Sequence, residues 1–311
     1  MTKDSGTSPS RRSAPRHSAV VAPLLTVCSL AIAAIMFFGY PLYSGPASEQ
    51  GNQDTSDTTQ NGQSDNTDDI STSDRTGFEN ADIIGQYTAI TAGGDAGRIT
   101  NLKLAAEALN GTIIEPGSTF SFNQIVGDVE NDTSYQLASM VVNGEMILGR
   151  GGGVSQVATA LYVASLYTNL VIEERHPHTS VVDFVPIGLD ATVAYSSMDL
   201  RLVNESEYPV KILAEADGQT VTVKLLGQPL PEGTRIEPVA VLIEYHRVGN
   251  PLPEGVELDD SFINSNFYLV ESFREFYYHD SKTDSILLAR DTYFVFSGTV
   301  VIMPDGNLDT K

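Results

Sequence analysis

A serine, a histidine and an aspartate stand where together they could do nucleophilic chemistry. Ser155 follows Gly151–Gly153 at the start of a helical segment, and His178 and Asp190 lie on later segments with strand-like patterning. Acyl transfer of the triad type needs a nucleophile, a histidine that takes its proton and an acid that orients the histidine. The sequence therefore predicts a candidate catalytic set of Ser155, His178 and Asp190.

The glycine run predicts a ligand-binding surface around the same helix start. Consecutive glycines allow positive φ angles and a close approach to the backbone. N–H groups at a helix N-terminus favour an anion, and nearby arginines would attract a carboxylate. The predicted ligand-binding residues are Arg150, Gly151, Gly152, Gly153, Gln156, Arg175 and His176.

Simpler interpretations compete with this site. Ser155 has the residue type of a helix N-cap, which is worth about 1 kcal/mol of stability. A serine hydroxyl also ionises far less readily than a thiol, so a histidine would have to act as general base during attack. Arg150 and Arg175 could equally form ion pairs on an acidic surface.

The two neighbouring histidines raise the question of a metal. His176 and His178 are separated by one residue, so on a strand they would face the same side. With Asp183 or Asp190 they would supply two imidazoles and a carboxylate, a set that suits zinc. A His-x-His pair alone does not define a zinc site, and we predict no metal and no cofactor.

Composition limits the partners and the redox chemistry. The 311 residues carry a formal net charge of −22, which argues against nucleic acid because its phosphates would be repelled. Cys28 is the only cysteine and lies in an uncharged apolar stretch. We therefore expect neither a disulfide nor a catalytic thiol in the rest of the chain.

The N-terminal part predicts a membrane anchor and a tether. Residues 1–18 form a basic tail, and residues 19–43 carry no charge. A spanning helix needs roughly 20 apolar residues, and the positive-inside rule places the tail in the cytoplasm. We predict a single-pass signal anchor with the following chain outside the cell; a cleaved signal peptide is the alternative. Residues 44–82, rich in Ser, Asp, Thr, Asn and Gln, predict a disordered linker.

The rest of the chain predicts an α+β fold of a few helices on an antiparallel sheet, with a domain at 83–228 and a β-rich extension at 229–311. Apolar residues at helical spacing predict a helix that ends at Asn110-Gly111, and an amphipathic helix over 155–169 capped by Ser155. Strand patterning is found at 119–122, 181–185, 191–195, 200–203, 210–214, 220–226, 268–278 and 285–296. Asp217-Gly218 predicts a hairpin turn, and residues 229–255 a Pro/Gly-rich connector.

Ordered motifs over roughly residues 84–228 resemble a VanW-like domain. They include Pro116-Gly117-Ser118-Thr119-Phe120-Ser121-Phe122-Asn123, the glycine loop with Ser155-Gln156-Val157, Glu174-Arg175-His176-Pro177-His178 and Gly188-Leu189-Asp190-Ala191-Thr192-Val193. The resemblance implies a membrane-anchored bacterial envelope protein in the neighbourhood of peptidoglycan. The family usually carries cysteine where this chain has Ser155, which implies either a serine variant or a non-catalytic copy.

Two functions follow as expectations. The first is binding of cell-wall material or an envelope protein through a pocket at the glycine loop and the His-x-His segment. The second is acyl transfer or amide hydrolysis on wall peptides, with Ser155 as nucleophile, His178 as base and Asp190 as orienter.

Overall fold

The computed structural model describes Phe78 and residues 81–90, 94–142, 145–296 and 300–310. The predicted tail, the predicted anchor at 19–43 with Cys28, and nearly all of the predicted linker lie outside these residues. Within the described ranges, no helix is long and apolar enough to cross a membrane. All described residues belong to one compact unit.

A four-stranded antiparallel sheet forms the first layer, and two helices pack on it. Alternating burial along its strands turns one face, including Val221, Val223 and Leu225, toward the core. The strand order is β1 (Asp82–Ile90), β9 (Thr220–Gly227), β8 (Val210–Ala216) and β2 (Ile113–Ile114), and the helices are α1 (Ala96–Leu109) and α3 (Val154–Leu166).

Local sequence signals explain several boundaries in this layer. The Asp217 carboxylate accepts the N–H groups of Gln219 and Thr220, both at 2.8 Å, and Gly218 adopts a φ of 105°, so the predicted hairpin turn is confirmed. Helix α1 ends at Leu109 with Asn110 as its C-cap, as the Asn110-Gly111 pair predicts. Its first turn is capped by Asp95, whose side chain accepts the Arg98 N–H at 2.8 Å.

Helix α3 runs through the middle of the core. Every one of its residues except Ser155 is buried, so the predicted amphipathic pattern is wrong: the helix has no solvent face. Strand β1 crosses it closely at Gly85, where an added Cβ would lie 2.2 Å from the carbonyl oxygen of Ala164. Glycine is therefore required there for helix and strand to approach each other.

We expect Gly85→Ala to lower the free energy of unfolding by about 1–3 kcal/mol, because the new methyl group meets backbone that cannot move aside cheaply. Gly149→Ala is the matched control, since its added Cβ would meet the flexible end of the Met140 side chain. Urea unfolding monitored by circular dichroism measures both variants. Equal stability of the two would contradict the close approach at Gly85.

Two small antiparallel sheets and a short helix extend the first layer. The three-stranded one has the order β3 (Thr119–Ser121), β7 (Arg201–Val203) and β6 (Val171–Glu174). The two-stranded one is the hairpin β4 (Leu137–Val142) and β5 (Glu145–Arg150), which leads directly into the glycine loop. The predicted strand at 119–122 stops at Ser121 because Phe122–Val126 forms helix α2, with the Ser121 side chain as its N-cap.

The C-terminal part adds a three-stranded sheet of long strands, in the order β10 (Thr234–His246), β11 (Phe267–Tyr278) and β12 (Ser281–Phe294). The predicted connector over 229–255 is therefore partly wrong, since much of it is strand β10. A short hairpin, β13 (Val300–Ile302) with β14 (Leu308–Thr310), follows. Arg274 on β11 donates to the Leu170 carbonyl at 2.9 Å, which ties this sheet to the end of α3.

The strands predicted at 181–185 and 191–195 are wrong. Residues 181–185 have no ladder, and residues 191–195 make only the isolated bridges His176↔Thr192 and Ala194↔Met198. Several apolar side chains here are buried, among them Phe184, Val185 and Ala191, so the alternation reflects packing and not strand pairing. The described part of the chain is α+β, as predicted.

Candidate functional site

The predicted base and its predicted orienter lie side by side. The Thr192 N–H donates to the His176 carbonyl at 2.9 Å, and this antiparallel register sets His178 opposite Asp190. His178 Nδ1 lies 2.6 Å from Asp190 Oδ2, and the His178 backbone N–H donates to the same oxygen at 2.7 Å. A carboxylate fixed at Nδ1 in this way orients an imidazole and leaves Nε2 for a ligand.

Asp190 is also the centre of a buried polar group that we call the Asp190 network. Its members are Arg175, His178, Asp190, Asp291 and Tyr293. The Asp190 carboxylate is 1% exposed; its Oδ1 accepts from Arg175 Nη2 at 3.0 Å and from the Tyr293 hydroxyl at 2.7 Å. Arg175 also pairs with Asp291 and donates from Nε to the Asp190 carbonyl at 2.7 Å. Strand β12 thus supplies Asp291 and Tyr293, and the other members of the network lie in the domain predicted at 83–228.

The charges in this network control its protonation. Burial alone would raise the pKa of Asp190, but the Arg175 guanidinium and the His178 hydrogen bonds outweigh it and hold the pKa well below its usual range. Burial raises the pKa of Tyr293, and the Asp190 charge raises it further. The network therefore holds an ionised aspartate and a neutral tyrosine at neutral pH.

Ser155 is bonded to the segment that follows Asp190 in the chain. Its Oγ lies 3.3 Å from Thr192 Oγ1 and accepts the Val193 N–H at 3.3 Å. Among the residues that the structure describes, no hydrogen bond joins Ser155 to a histidine ring. The predicted nucleophile is thus close to the segment that carries Asp190, without the bond to His178 that the triad requires.

The prediction that Ser155 caps α3 is wrong. The helix begins at Val154, and its N-cap is Gly153, which adopts a φ of 106° and makes no side-chain cap bond. A left-handed backbone at this residue suits glycine, and the cap therefore lies two residues before Ser155. The serine therefore occupies the first turn, with its side chain directed to the 192–193 segment.

The glycine loop is packed against the protein interior. A Cβ at Gly152 would lie 3.0 Å from both the Cβ and the carbonyl oxygen of Ala138, and one at Gly151 would lie 2.7 Å from Val129 Cγ2. The buried Asn101 side chain donates to the Gly152 carbonyl at 3.0 Å. Close packing therefore accounts for Gly151 and Gly152, and the role of this loop in ligand binding stays a prediction.

The predicted cations have internal partners. Arg150 donates to the Tyr135 carbonyl, and the Arg175 side chain is 5% exposed inside the Asp190 network. His176 Nε2 lies 2.8 Å from Glu174 Oε1, so the two histidines have different carboxylate partners. In the described ranges, no cluster of three or more His, Cys, Asp and Glu side chains could hold a metal ion.

Gln156 contacts Arg98, which is not among the predicted site residues. Its side chain is buried, and its Oε1 accepts from Arg98 Nη2 at 2.8 Å. Arg98 lies in the first turn of α1, 58 residues away along the chain. Because this contact is tertiary, no spacing rule predicts it, and the sequence carries no local signal for it.

Two surface clefts lie outside the predicted site. One, of about 370 Å³, is polar and is lined by residues that include Asn123, Glu174, Asp199 and Arg201. The other, of about 430 Å³, is lined by residues that include Asn204, Tyr208 and Pro229. Neither of these two clefts is lined by Ser155, His178 or Asp190.

Comparisons with known proteins agree with the motifs around this site. A family model described as "VanW like protein" matches residues 97–226. The uncharacterized protein YoaR of Bacillus subtilis is 36% identical over 142 residues, which are 46% of this chain and 47% of the relative. The vancomycin B-type resistance protein VanW of Enterococcus faecalis is 33% identical over 142 residues, 43% of this chain and 51% of that protein.

The matched region contains the glycine loop, helix α3 and the first part of the Asp190 network, including Arg175, His178 and Asp190. The chain spans about half the length of the curated relatives it matches. No solved structure matches it significantly. Residues 97–226 therefore form a VanW-like domain, similar to the matched parts of these two relatives.

Proposed function

We propose that the protein is a bacterial cell-envelope protein whose VanW-like domain binds cell-wall material, in the first place peptidoglycan fragments. The ligand surface in this proposal is the start of α3 together with His176 and His178. One observation carries the choice of binding over catalysis: the Ser155 hydroxyl is bonded to the 192–193 segment, and His178 is bonded to Asp190, with no link between them.

The proposed location is the outer face of the cytoplasmic membrane. Residues 19–43 would cross the membrane once with the N-terminus in the cytoplasm, and residues 44–82 would tether the domain. The name of the Enterococcus relative, which refers to vancomycin resistance, supports an envelope context for the family. The net charge of −22 supports a partner other than nucleic acid.

Binding to purified peptidoglycan tests this proposal. We expect the full-length chain to bind soluble muropeptides saturably in calorimetric titrations, and His178→Ala to weaken that binding about tenfold, the loss expected for one good polar contact. His279→Ala is the control, because His279 lies at the exposed turn between β11 and β12. Absence of saturable binding by the wild-type chain would contradict the proposal.

A second candidate function is acyl transfer, and the 2.6 Å contact between His178 and Asp190 favours it. A histidine oriented by a buried carboxylate can act as a base. For a complete nucleophilic site, the Ser155 side chain would have to rotate to form a hydrogen bond with His178. Hydrolysis of wall-peptide amide bonds by the full-length chain, lost in Ser155→Ala, would establish this function in place of binding alone.

The alkylation rate of a cysteine placed at position 155, in the variant Ser155→Cys, tests whether this site activates a nucleophile. In a Cys28→Ser background the new cysteine is the only thiol in the chain. Because a helix N-terminus lowers the pKa of a nearby thiol, we expect alkylation by iodoacetamide at pH 7 about tenfold faster than at a control cysteine, Ser261→Cys. Equal rates at the two cysteines would exclude a reactive arrangement at residue 155.

A further inference from the structure

Arg98 is a half-buried cation without an acidic partner. Its Nη2 donates to the neutral amide oxygen of Gln156 at 2.8 Å, and among the described residues no carboxylate forms an ion pair with it. Asp95 is occupied as the cap of α1 and as acceptor of the Ser139 N–H at 3.1 Å. Burial lowers the pKa of Arg98, and the more distant charges of Asp183 and Asp95 offset this only in part. The guanidinium thus has no ion-pair partner among the described residues.

Unused hydrogen-bond donors cluster around this arginine. Arg98 Nε and Gln156 Nε2 are buried and have no partner among the described residues, and the Gln156 residue is only 1% exposed. Arg98 Nη1 has no described partner either, but it is not among the fully buried atoms, so a ligand can reach it. Buried polar groups are normally paired, so the two buried donors without acceptors call for a missing acceptor, and Arg98 Nη1 is a third donor open to it.

The position of this cluster adds to its preference for an anion. Gln156 lies in the first turn of α3, a helix of 13 residues whose N-terminal end carries partial positive charge. The Arg98 Cγ atom lies 3.0 Å from the position that a Cβ on Gly153, the α3 cap, would occupy. A guanidinium, an amide N–H₂ and a helix start therefore lie together at the N-terminal end of α3.

We propose that Arg98 and Gln156, at the N-terminal end of α3, bind a carboxylate group of the ligand. A carboxylate is an acceptor-only group with a planar pair of oxygens, which matches the fork of a guanidinium and accepts from an amide as well. The inference rests on the proposed function and specifies its ligand: a wall peptide that is recognised through a free carboxylate.

Paired peptides that differ in one group test the assignment. Titration calorimetry with the full-length chain would compare diacetyl-Lys-Ala-Ala, which has a free C-terminal carboxylate, with the same peptide as its C-terminal amide. Inorganic phosphate serves as a third probe, because it shares the negative charge but not the planar geometry. We expect the free-acid peptide to bind at least about tenfold more tightly than the amide and than phosphate.

Two substitutions keep the test independent of misfolding. Arg98→Met removes the guanidinium, and Gln156→Glu supplies an internal carboxylate beside it that should satisfy Arg98 and displace the ligand. We expect each to weaken binding of the free-acid peptide at least about tenfold. We also expect Gln156→Glu to raise the melting temperature, because it pairs a buried cation. Arg247→Met, at an exposed arginine over Tyr245, is the control and should bind normally.

The inference would be overturned by equal affinity for the acid and amide peptides, by unchanged affinity in folded Arg98→Met or Gln156→Glu, or by no binding of the free-acid peptide at millimolar concentration. Phosphate binding as tight as that of the peptide would assign a general oxyanion site and reject the carboxylate. The proposed function fails separately, if the wild-type chain does not bind muropeptides at all.

Discussion

Replacing Asp190 by asparagine should lower the free energy of unfolding by about 3–5 kcal/mol, the loss expected when one member of a buried ion pair is removed. Both carboxylate oxygens accept from donors: Oδ1 from Arg175 and Tyr293, and Oδ2 twice from His178. An asparagine keeps one oxygen and turns an N–H₂ group toward donors, while Arg175 keeps only the Asp291 charge.

The control for this experiment is Asp260→Asn, at an exposed position with no charged partner among the described residues. Surface substitutions of this kind usually change stability by less than about 0.5 kcal/mol. Urea unfolding of the full-length chain at pH 7 measures both variants. A loss below about 1 kcal/mol for Asp190→Asn would show that the network does not stabilise the fold.

The difference in free energy of unfolding between wild type and Asp190→Asn should depend on pH. Because the pKa of Asp190 is lower in the folded protein than in the unfolded chain, its stabilisation is fully present above the unfolded pKa of about 4 and is lost as pH falls toward the folded value. Other carboxylates with lowered pKa contribute equally in both proteins. The difference in stability between wild type and Asp190→Asn should therefore shrink below about pH 4.

Replacing Arg274 by alanine should lower the free energy of unfolding by about 3 kcal/mol, because it opens a cavity and removes a donor from the Leu170 and Ser165 carbonyls. Arg274 is 7% exposed and donates to the Leu170 carbonyl at 2.9 Å and to the Ser165 carbonyl at 3.3 Å, at the end of α3. A cation there also interacts favourably with the helix dipole. Burial lowers its pKa to about 10, so the side chain remains charged at pH 7.

Arg274→Lys distinguishes the charge from the geometry of this contact. The ammonium keeps the charge near the helix end but cannot reach two carbonyls with a planar fork. We therefore expect the free energy of unfolding of Arg274→Lys to lie between those of wild type and Arg274→Ala. Arg247→Ala, an exposed arginine, is the control. If neither Arg274→Ala nor Arg274→Lys changed the free energy of unfolding in urea, the contact between β11 and α3 would not contribute to stability.

The parts of the fold that the sequence predicts are those fixed by local interactions. Helix α1 and the hairpin of β8 and β9 follow from apolar spacing, a helix stop and an Asp-Gly turn, each of which acts over a few residues. The segment at 181–185 shows the limit of this reasoning. Apolar alternation indicates burial of one side, but here the buried side chains pack on the core while the backbone makes no ladder.

In the candidate site, too, the sequence predicts the contacts between neighbouring segments and not those between distant ones. The proximity of His178 and Asp190 follows from two segments that pair close together in the sequence. The partners Asp291 and Tyr293 come from strand β12, more than 100 residues later, and Arg98 comes from α1, before the glycine loop. The residue type of Ser155 also misplaced the α3 cap, because Gly153, with its left-handed backbone, takes the cap position.

The central claim is that this VanW-like domain binds wall peptides without cleaving them. One calorimetric titration of the full-length chain with purified muropeptides, followed by mass spectrometry of the same sample after prolonged incubation, tests both halves. The account predicts a saturable binding isotherm and muropeptides recovered intact. Either a flat titration, or cleaved amide bonds that disappear with Ser155→Ala, would contradict it.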